Sequence, residues 1–461
     1  MALSDIKTFV IVMLENRSFD HVCGYLSVPG NGTPMNVNGL RSDQAWLDQF
    51  KNDDQADPPV PIHLLDPAVQ NITDPPHEDT DIRTQITTPT HGNASPTMGG
   101  FVKSYWNAKP QPHDRSFVMG YYDKRAVPTF DFFARNFAIC DNWFSPLPAG
   151  TQPNRLMAMS GESRIHHNVS DPLEFPNQQL LYDWIDGVLG ESHWCSYQWG
   201  GLPFFALMTS WLPRIVAGFN EPEQLGEFRR YESFKRQWQS GKGIPEVVFI
   251  EPRYTDDPVF SFRPKNDDHC PTGISEGQRF LADIYNTLIS NTELWKSTML
   301  IVTYDEHGGF FDHVSPPAVP AHAGGVNFAT TGVRIPAFVI SPYVKSGTVF
   351  SDQVDNTSIL QLLADRFTPG RGYSPAVSAR QQYFKPLSTI LDNPAVTTKP
   401  NPIDDSAFSQ VVTGAPAAAL DKGEISATTL ALNRAAAAIA MLHPDDLIRR
   451  KSLPAVAPPK P

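Results

Sequence analysis

The chain has 461 residues, 41% hydrophobic and 19% charged, so it can bury a large core, and length alone permits two or three domains. A formal net charge of −12, with no Lys/Arg run long enough to form a basic stripe, argues against a nucleic-acid partner and against tight attraction to an anionic membrane. The four cysteines (Cys23, Cys140, Cys195 and Cys270) have no CxxC or CxxH spacing, which argues against a zinc finger and leaves both disulfides and free thiols open.

The first predicted element is Phe9–Leu14, an apolar run that stops at Glu15 and Asn16. It is too short for the h-region of a secretory signal, lacks a basic n-region, and runs into ENRSFDH without a cleavage site. No stretch approaches the roughly 20 apolar residues of a spanning helix. A soluble protein is expected, cytoplasmic or exported by a route the chain does not display. Residues 31–98 are polar, Pro-rich and weakly periodic, and read as a long excursion over the strand ends.

PAGTQPNRLMAMSG follows, with Thr151 at a helix N-terminus and Pro153 in the first turn, where its missing N–H costs little. Free N–H groups and the helix dipole there attract an anion and help an alkoxide form, although a plain Thr N-cap has the same pattern. Ser192–Gln239 carries Trp194, Trp199, Trp211 and Trp238. It reads either as a helical subdomain with its own core or as an aromatic, cap-like wall over the site.

Val247–Glu251 and Met299–Tyr304 are further buried strands, separated by the helical pattern GQRFLADIYNTLISNTELW. The second of them stops at Asp305 and Glu306. Ile335–Ile340 is a fourth strand, and past Lys399 an Ala-rich helical stretch gives way to the Pro-rich end LPAVAPPKP. Alternating strands and helices predict an α/β protein with a mostly parallel sheet, a catalytic domain over 1–398 with 192–239 inserted, and a C-terminal extension over 399–461. Ligands of such sheets gather beyond the carboxyl ends of the strands. If the first and third strands are neighbours, Glu15, Asn16, Asp305 and Glu306 converge into an oxygen cage for a hard divalent cation. All-oxygen ligation disfavours zinc and leaves calcium, magnesium and manganese open.

Histidines in loops beside these strands are candidates for contacting a phosphoryl group: His77 in TDPPHEDTD, His269 in KNDDHCPTG, and His307 after the acidic pair. His21 and His313, in two FDH triplets, are expected to brace their loops.

ENRSFDH, TQPNR, EPRY…NDDH and TYDEHGGFFDHV, in that order, resemble the phosphoesterase family of the alkaline-phosphatase-like superfamily, from about Ile6 to Phe367. That family contains non-specific phospholipases C and a branch of bacterial acid phosphatases. The resemblance implies an alkaline-phosphatase-like three-layer sandwich with long loop insertions. It also implies one metal held by Glu15, Asn16, Thr151, Asp305 and Glu306, with Thr151 as nucleophile. His77 and His269 match its phosphate-contacting histidines, and His307 lies beside the metal pair. T-x-P-x-R is also similar to the sulfatase nucleophile turn, but Thr cannot be oxidised to the aldehyde those enzymes use. Two departures stand out: Cys270 follows His269 where the phosphatase branch often has a second histidine, and Asn356 stands where bacterial members commonly have His.

The resemblance implies metal-dependent hydrolysis of phosphoric esters through a phosphothreonine. The expected substrate is a phosphatidylcholine-like diester cleaved as by phospholipase C, with a phosphomonoesterase as the alternative. Membrane contact is expected to be interfacial at most. A catalytically dead phosphate- or lipid-binding protein is the third reading, but it would have lost a ligand or the nucleophile, and all five matched positions are intact.

Overall fold

Eight strands form one sheet, and their order decides where the polar strand ends collect. They are β1 (Thr8–Leu14), β2 (Ala138–Cys140), β3 (Trp194–Gln198), β4 (Phe228–Arg230), β5 (Val247–Glu251), β6 (Thr298–Tyr304), β7 (Ala337–Ile340) and β8 (Thr348–Phe350). Across the sheet they run β8-β2-β7-β6-β1-β5-β3-β4. The computed structural model describes residues 3–30, 32–53, 58–69, 72–92, 97–220, 226–256, 264–391, 400–408 and 426–442.

β1 and β6 are parallel neighbours, in register from Thr8 opposite Thr298 to Leu14 opposite Tyr304. Every residue of β6 is buried, as is all of β1 except Met13, so helices and loops cover both faces of the sheet. The strands therefore end side by side, and the Asp305 N–H donates to the Leu14 carbonyl at 3.2 Å. Only β7 opposes the rest of this sheet, antiparallel to both β2 and β6. It begins at Ala337 rather than Ile335, because Pro336 between them has no N–H to give to a ladder.

The helices that matter for the site are α1 (Phe19–Cys23), α2 (Asp79–Thr87), α3 (Thr151–Ser160), α4 (Ser275–Ser290), α5 (Thr357–Phe367) and α6 (Ala427–Leu442). α3 packs against α5. The stretch 192–239, expected as a cap or a separate subdomain, instead supplies β3 and β4 to the edge of the sheet. Its Trp194, Trp211 and Trp238 share one core with the sheet residues Val10 and Leu300. Ala431, Leu432 and Ile439 of α6 join that same core. The Pro-rich end lies outside the described residues. All four cysteines are buried free thiols.

Candidate active site

The site forms where β1 and β6 run out. Asn16 turns the chain with φ +64°, a left-handed conformation that Asn tolerates better than most residues. Its backbone N–H donates to Asp305 Oδ1 at 3.4 Å, as does that of Glu306 at 2.8 Å. Gly308 passes so close that a Cβ there would stand 2.2 Å from the Asn16 carbonyl, and its own φ is +63°. The glycine of the DEHGG run is therefore required by both space and backbone.

α3 presents Thr151 from the other side. The chain before it is folded by Asn154, whose Oδ1 accepts from the Leu147 N–H at 2.9 Å and whose Nδ2 donates to the carbonyls of Ala149 and Gly150. This sets Thr151 in the first turn of a ten-residue helix, with its hydroxyl donating to Asn16 Oδ1 at 3.5 Å. One turn later on the same helix comes Arg155. Its Nη2 stands 3.0 Å from Glu15 Oε1, its Nε 3.2 Å from Asp305 Oδ2, and its Nη1 donates to the Tyr254 hydroxyl at 3.0 Å. Of the five residues expected around a cation, Thr151, Asn16, Asp305 and Glu306 are linked by hydrogen bonds, and Arg155 stands between Glu15 and Asp305.

Burial works against ionisation of Glu15, but Arg155 and His269 outweigh it and hold the carboxyl below its usual range. Burial pushes Asp305 well above that range, with Arg155 opposing and Glu15 and Glu306 adding repulsion. Glu306 Oε2 accepts from the Gly308 N–H at 2.7 Å, whereas its buried Oε1 has no hydrogen-bond partner. An orphaned buried carboxylate oxygen, beside an Asp305 whose charged form is disfavoured first by burial and then by Glu15 and Glu306, is a place where a hard cation would supply the missing charge. Among the described residues the acidic and histidine groups whose ligand atoms lie within 4.8 Å of one another are Asp74–His77–His269, Glu15–Asp256–His269 and Asp20–Asp312–His313, so Glu15, Asp305 and Glu306 offer carboxylates to an ion without already forming a closed set.

The histidines differ in what they face. His269 has Nδ1 3.2 Å from Glu15 Oε2 and Nε2 3.3 Å from Asp74 Oδ2. Burial disfavours its charge, but Asp74 and Glu15 prevail and raise its pKa well above the ordinary value. His77 has Nδ1 2.7 Å from the Pro75 carbonyl and Nε2 3.4 Å from Asn16 Nδ2. Burial would lower its pKa, yet Glu306 and Asp74 push it up to about 9. His307 is fully buried, with Nε2 2.8 Å from Gln85 Oε1 and Nδ1 3.4 Å from Glu306 Oε2. Expected as a catalytic group beside the acidic pair, it is held between Gln85 and Glu306. His21 and His313 lie in the two FDH loops, His21 Nδ1 2.8 Å from the Gly120 carbonyl and His313 Nδ1 2.7 Å from Asp20 Oδ2.

Four neighbours carry no role in the motif reading: Gln85 and Asp256, and Asp74 and Arg155, although TDPPHEDTD and TQPNR contain the last two. Arg155 had a signal, since four residues after Thr151 on a helix is the same face one turn on. Asp74, His77 and His269 bring ligand atoms within 4.8 Å of one another, as do Glu15, Asp256 and His269. Both His269 nitrogens face carboxylates, so each grouping is an ion-paired cluster. The two departures are structural. Asn356 Oδ1 accepts from Trp143 Nε1 at 2.8 Å while its Nδ2 donates to the Tyr304 carbonyl, and Cys270 is a buried thiol.

The Phosphoesterase family model matches residues 6–368. The chain belongs to the Phosphoesterase family. It is 34% identical over 360 residues to non-specific phospholipase C1 of Arabidopsis thaliana, across 75% of this chain and 62% of that one. Phospholipase C B of Mycobacterium tuberculosis is 27% identical over 409 residues, across 79% of this chain and 74% of that one. The chain spans less than two thirds of the length of the Arabidopsis relatives, between 62% and 65% of each. Among solved structures, a protein of the alkaline phosphatase superfamily from Vibrio parahaemolyticus aligns with a TM-score of 0.34 at 12% identity, over 54% of this chain and 62% of that one.

Proposed function

We propose that this family member is a metal-dependent phosphoric ester hydrolase of phospholipase C type, with Thr151 as its nucleophile. The observation that carries the reading is the Thr151 hydroxyl, held at a helix N-terminus 3.5 Å from Asn16 Oδ1, where β1 and β6 deliver their acidic ends. Glu15, Asn16, Asp305, Glu306 and Thr151 would hold the cation, calcium, magnesium or manganese. When bound, it would lower the pKa of the threonine hydroxyl and draw charge from the phosphoryl oxygens.

The threonine oxygen attacks phosphorus in line, forming the Thr–O–P bond as the bond to the alcohol breaks. The alcohol is diacylglycerol if the substrate is a phospholipid. For a diester the phosphothreonine still carries the head group. Water then breaks the Thr–O–P bond, releasing the phosphorylated head group and restoring the Thr151 hydroxyl, so configuration at phosphorus is retained. Both nitrogens of His269 face carboxylates, so it serves as a fixed positive charge beside the equatorial oxygens. His77 is the better proton donor. Once protonated it finds only the Asn16 amide N–H group at Nε2, which leaves that N–H for a leaving oxygen. His307 positions Glu306.

A diester is favoured over the acid-phosphatase alternative because Arg155 is committed to Glu15, Asp305 and Tyr254, while Asp74 and Glu78 add negative charge beside His77. A monoester dianion gains least from such surroundings, and a zwitterionic diester carrying an ammonium gains most. The test is a paired assay of p-nitrophenyl phosphorylcholine and p-nitrophenyl phosphate with Thr151→Ala alongside. The diester should be preferred, acid quenching should trap Thr151 carrying phosphorylcholine, and the variant should lose both turnover and adduct. Near-wild-type turnover by the variant would overturn the nucleophile, and monoester preference would move the chain to the phosphatase alternative.

A further inference from the structure

Residues 426–442 lie beyond the stretch matched by the family, yet the helix they form begins at the site. α6 buries Ala431, Leu432, Ala435 and Ile439, one face at helical spacing, so it is part of the body of the molecule. Its first two turns touch three segments that surround the site. Ser426 Oγ accepts from the Thr429 N–H at 2.9 Å and donates to Asp256 Oδ1 at 2.9 Å, and the Thr429 hydroxyl donates to that same oxygen. Gln152, which follows the nucleophile, donates from Nε2 to the buried Thr428 hydroxyl at 3.2 Å. One turn on, Arg434 pairs with Asp171 at 2.8 Å, in the loop whose Asn168 accepts from the Gln152 N–H.

Asp256 is buried and is not used in the chemistry above. Two hydroxyls on its Oδ1 fix the rotation of the carboxylate, and its Oδ2 then faces His269 Nδ1 at 3.9 Å, beside Glu15. We infer that the first turn of α6 is a positioning element of the active site: Ser426 and Thr429 orient Asp256, and Asp256 with Glu15 holds the His269 ring against the incoming phosphoryl group. The inference rests on the reading of His269 as a phosphate-contacting group. It makes the C-terminal helix a working part of the site, where the bland alternative is a helix whose cap happens to be a serine.

The experiment is a cycle on the full chain, built from the Ser426→Ala/Thr429→Ala double variant, Asp256→Ala and the triple variant, with Thr429→Ser as the conservative control. The double variant should lose about 10-fold or more in kcat, the size typical of groups that orient a functional side chain, with KM little changed. Thr429→Ser should keep most of the activity, and the double substitution should cost nothing further once Asp256 is gone. Should the double variant merely unfold at lower temperature while kcat stays at the wild-type value, the hydroxyls are only a helix cap and the inference falls. The same holds if the two losses multiply independently. Either result leaves Thr151-dependent turnover standing, whereas failure of the Thr151→Ala test removes the proposed function itself.

Discussion

Arg155 decides the electrostatics of the candidate site. It is buried between Glu15 and Asp305, and its fork reaches both while its plane lies over Phe204 and Tyr254, at 4.5 and 5.0 Å from the ring centroids. A lysine could not span the same partners, because it lacks the planar fork. Removing one partner of a buried ion pair leaves the other charges uncompensated, at a cost of about 3–5 kcal/mol. Arg155→Met should therefore lower the urea midpoint strongly in metal-free protein. On the proposed metal site, saturating Mn²⁺ should recover part of the loss, since a cation held there would neutralise the same two carboxylates. Equal losses with and without Mn²⁺ would mean that arginine and cation do not share those partners. Much of this cluster was legible in the chain, because β1 and β6 announce their ends in apolar runs closed by Glu15–Asn16 and Asp305–Glu306. Asp74 and Asp256 were not, because each sits in a loop whose only periodicity comes from the tertiary fold.

Among the elements, the two FDH triplets are locked together by Arg334, which ties α1 to the loop after β6. Its Nη2 donates to Asp20 Oδ1 at 3.0 Å and its Nε to Asp312 Oδ1 at 2.9 Å, while Asp20 Oδ2 accepts from the His313 N–H at 2.8 Å. Burial opposes the Asp20 charge, but His313 and Arg334 outweigh it and hold its pKa below the ordinary value. A carboxyl depressed on folding contributes stability that is present above its unfolded pKa of about 3.9 and lost as pH falls through the lower folded value. Asp20→Asn should therefore destabilise the protein at pH 7, with the deficit narrowing below about pH 4 as the wild-type carboxyl takes up its proton. Denaturant titrations at pH 7 and near pH 3.5 check this, and a deficit that does not change with pH would dismiss the pairing. The bracing role of these loops could be read from the repeated triplet, but Arg334 could not, since it enters from the segment before β7. Element type was clearest where apolar runs were long. β3, reading WCSYQ, and β4, only FRR, lack such runs and take their pairing from the sheet edge. The reversed direction of β7 leaves no mark on its composition.

For the molecule as a whole, parallel strands on both sides of β1 gather acidic ends at one edge of a chain already carrying −12 formal charges. Folding must bury Glu15, Asp305 and Glu306 together, so the metal-free protein stores repulsion that a bound cation would relieve. A ligand that binds only the folded state adds RT ln(1 + [L]/Kd), about 2.7 kcal/mol at a hundredfold excess over Kd. The gain must also depend on pH. Asp305 is pushed up to about 8 by burial, with Glu15 and Glu306 repelling it and Arg155 only partly offsetting them. Below that pH a proton would compete with a cation bound at Asp305, so binding there would release the proton and affinity would fall as pH drops. Thermal unfolding in graded Mn²⁺ should thus show a larger upward shift at pH 8.5 than at pH 6. Asp305→Asn should remove most of the shift and its pH dependence together. A shift of equal size at both pH values, or one that survives in Asp305→Asn, would place the stabilising cation elsewhere on this acidic surface and take the cage between β1 and β6 out of the reaction.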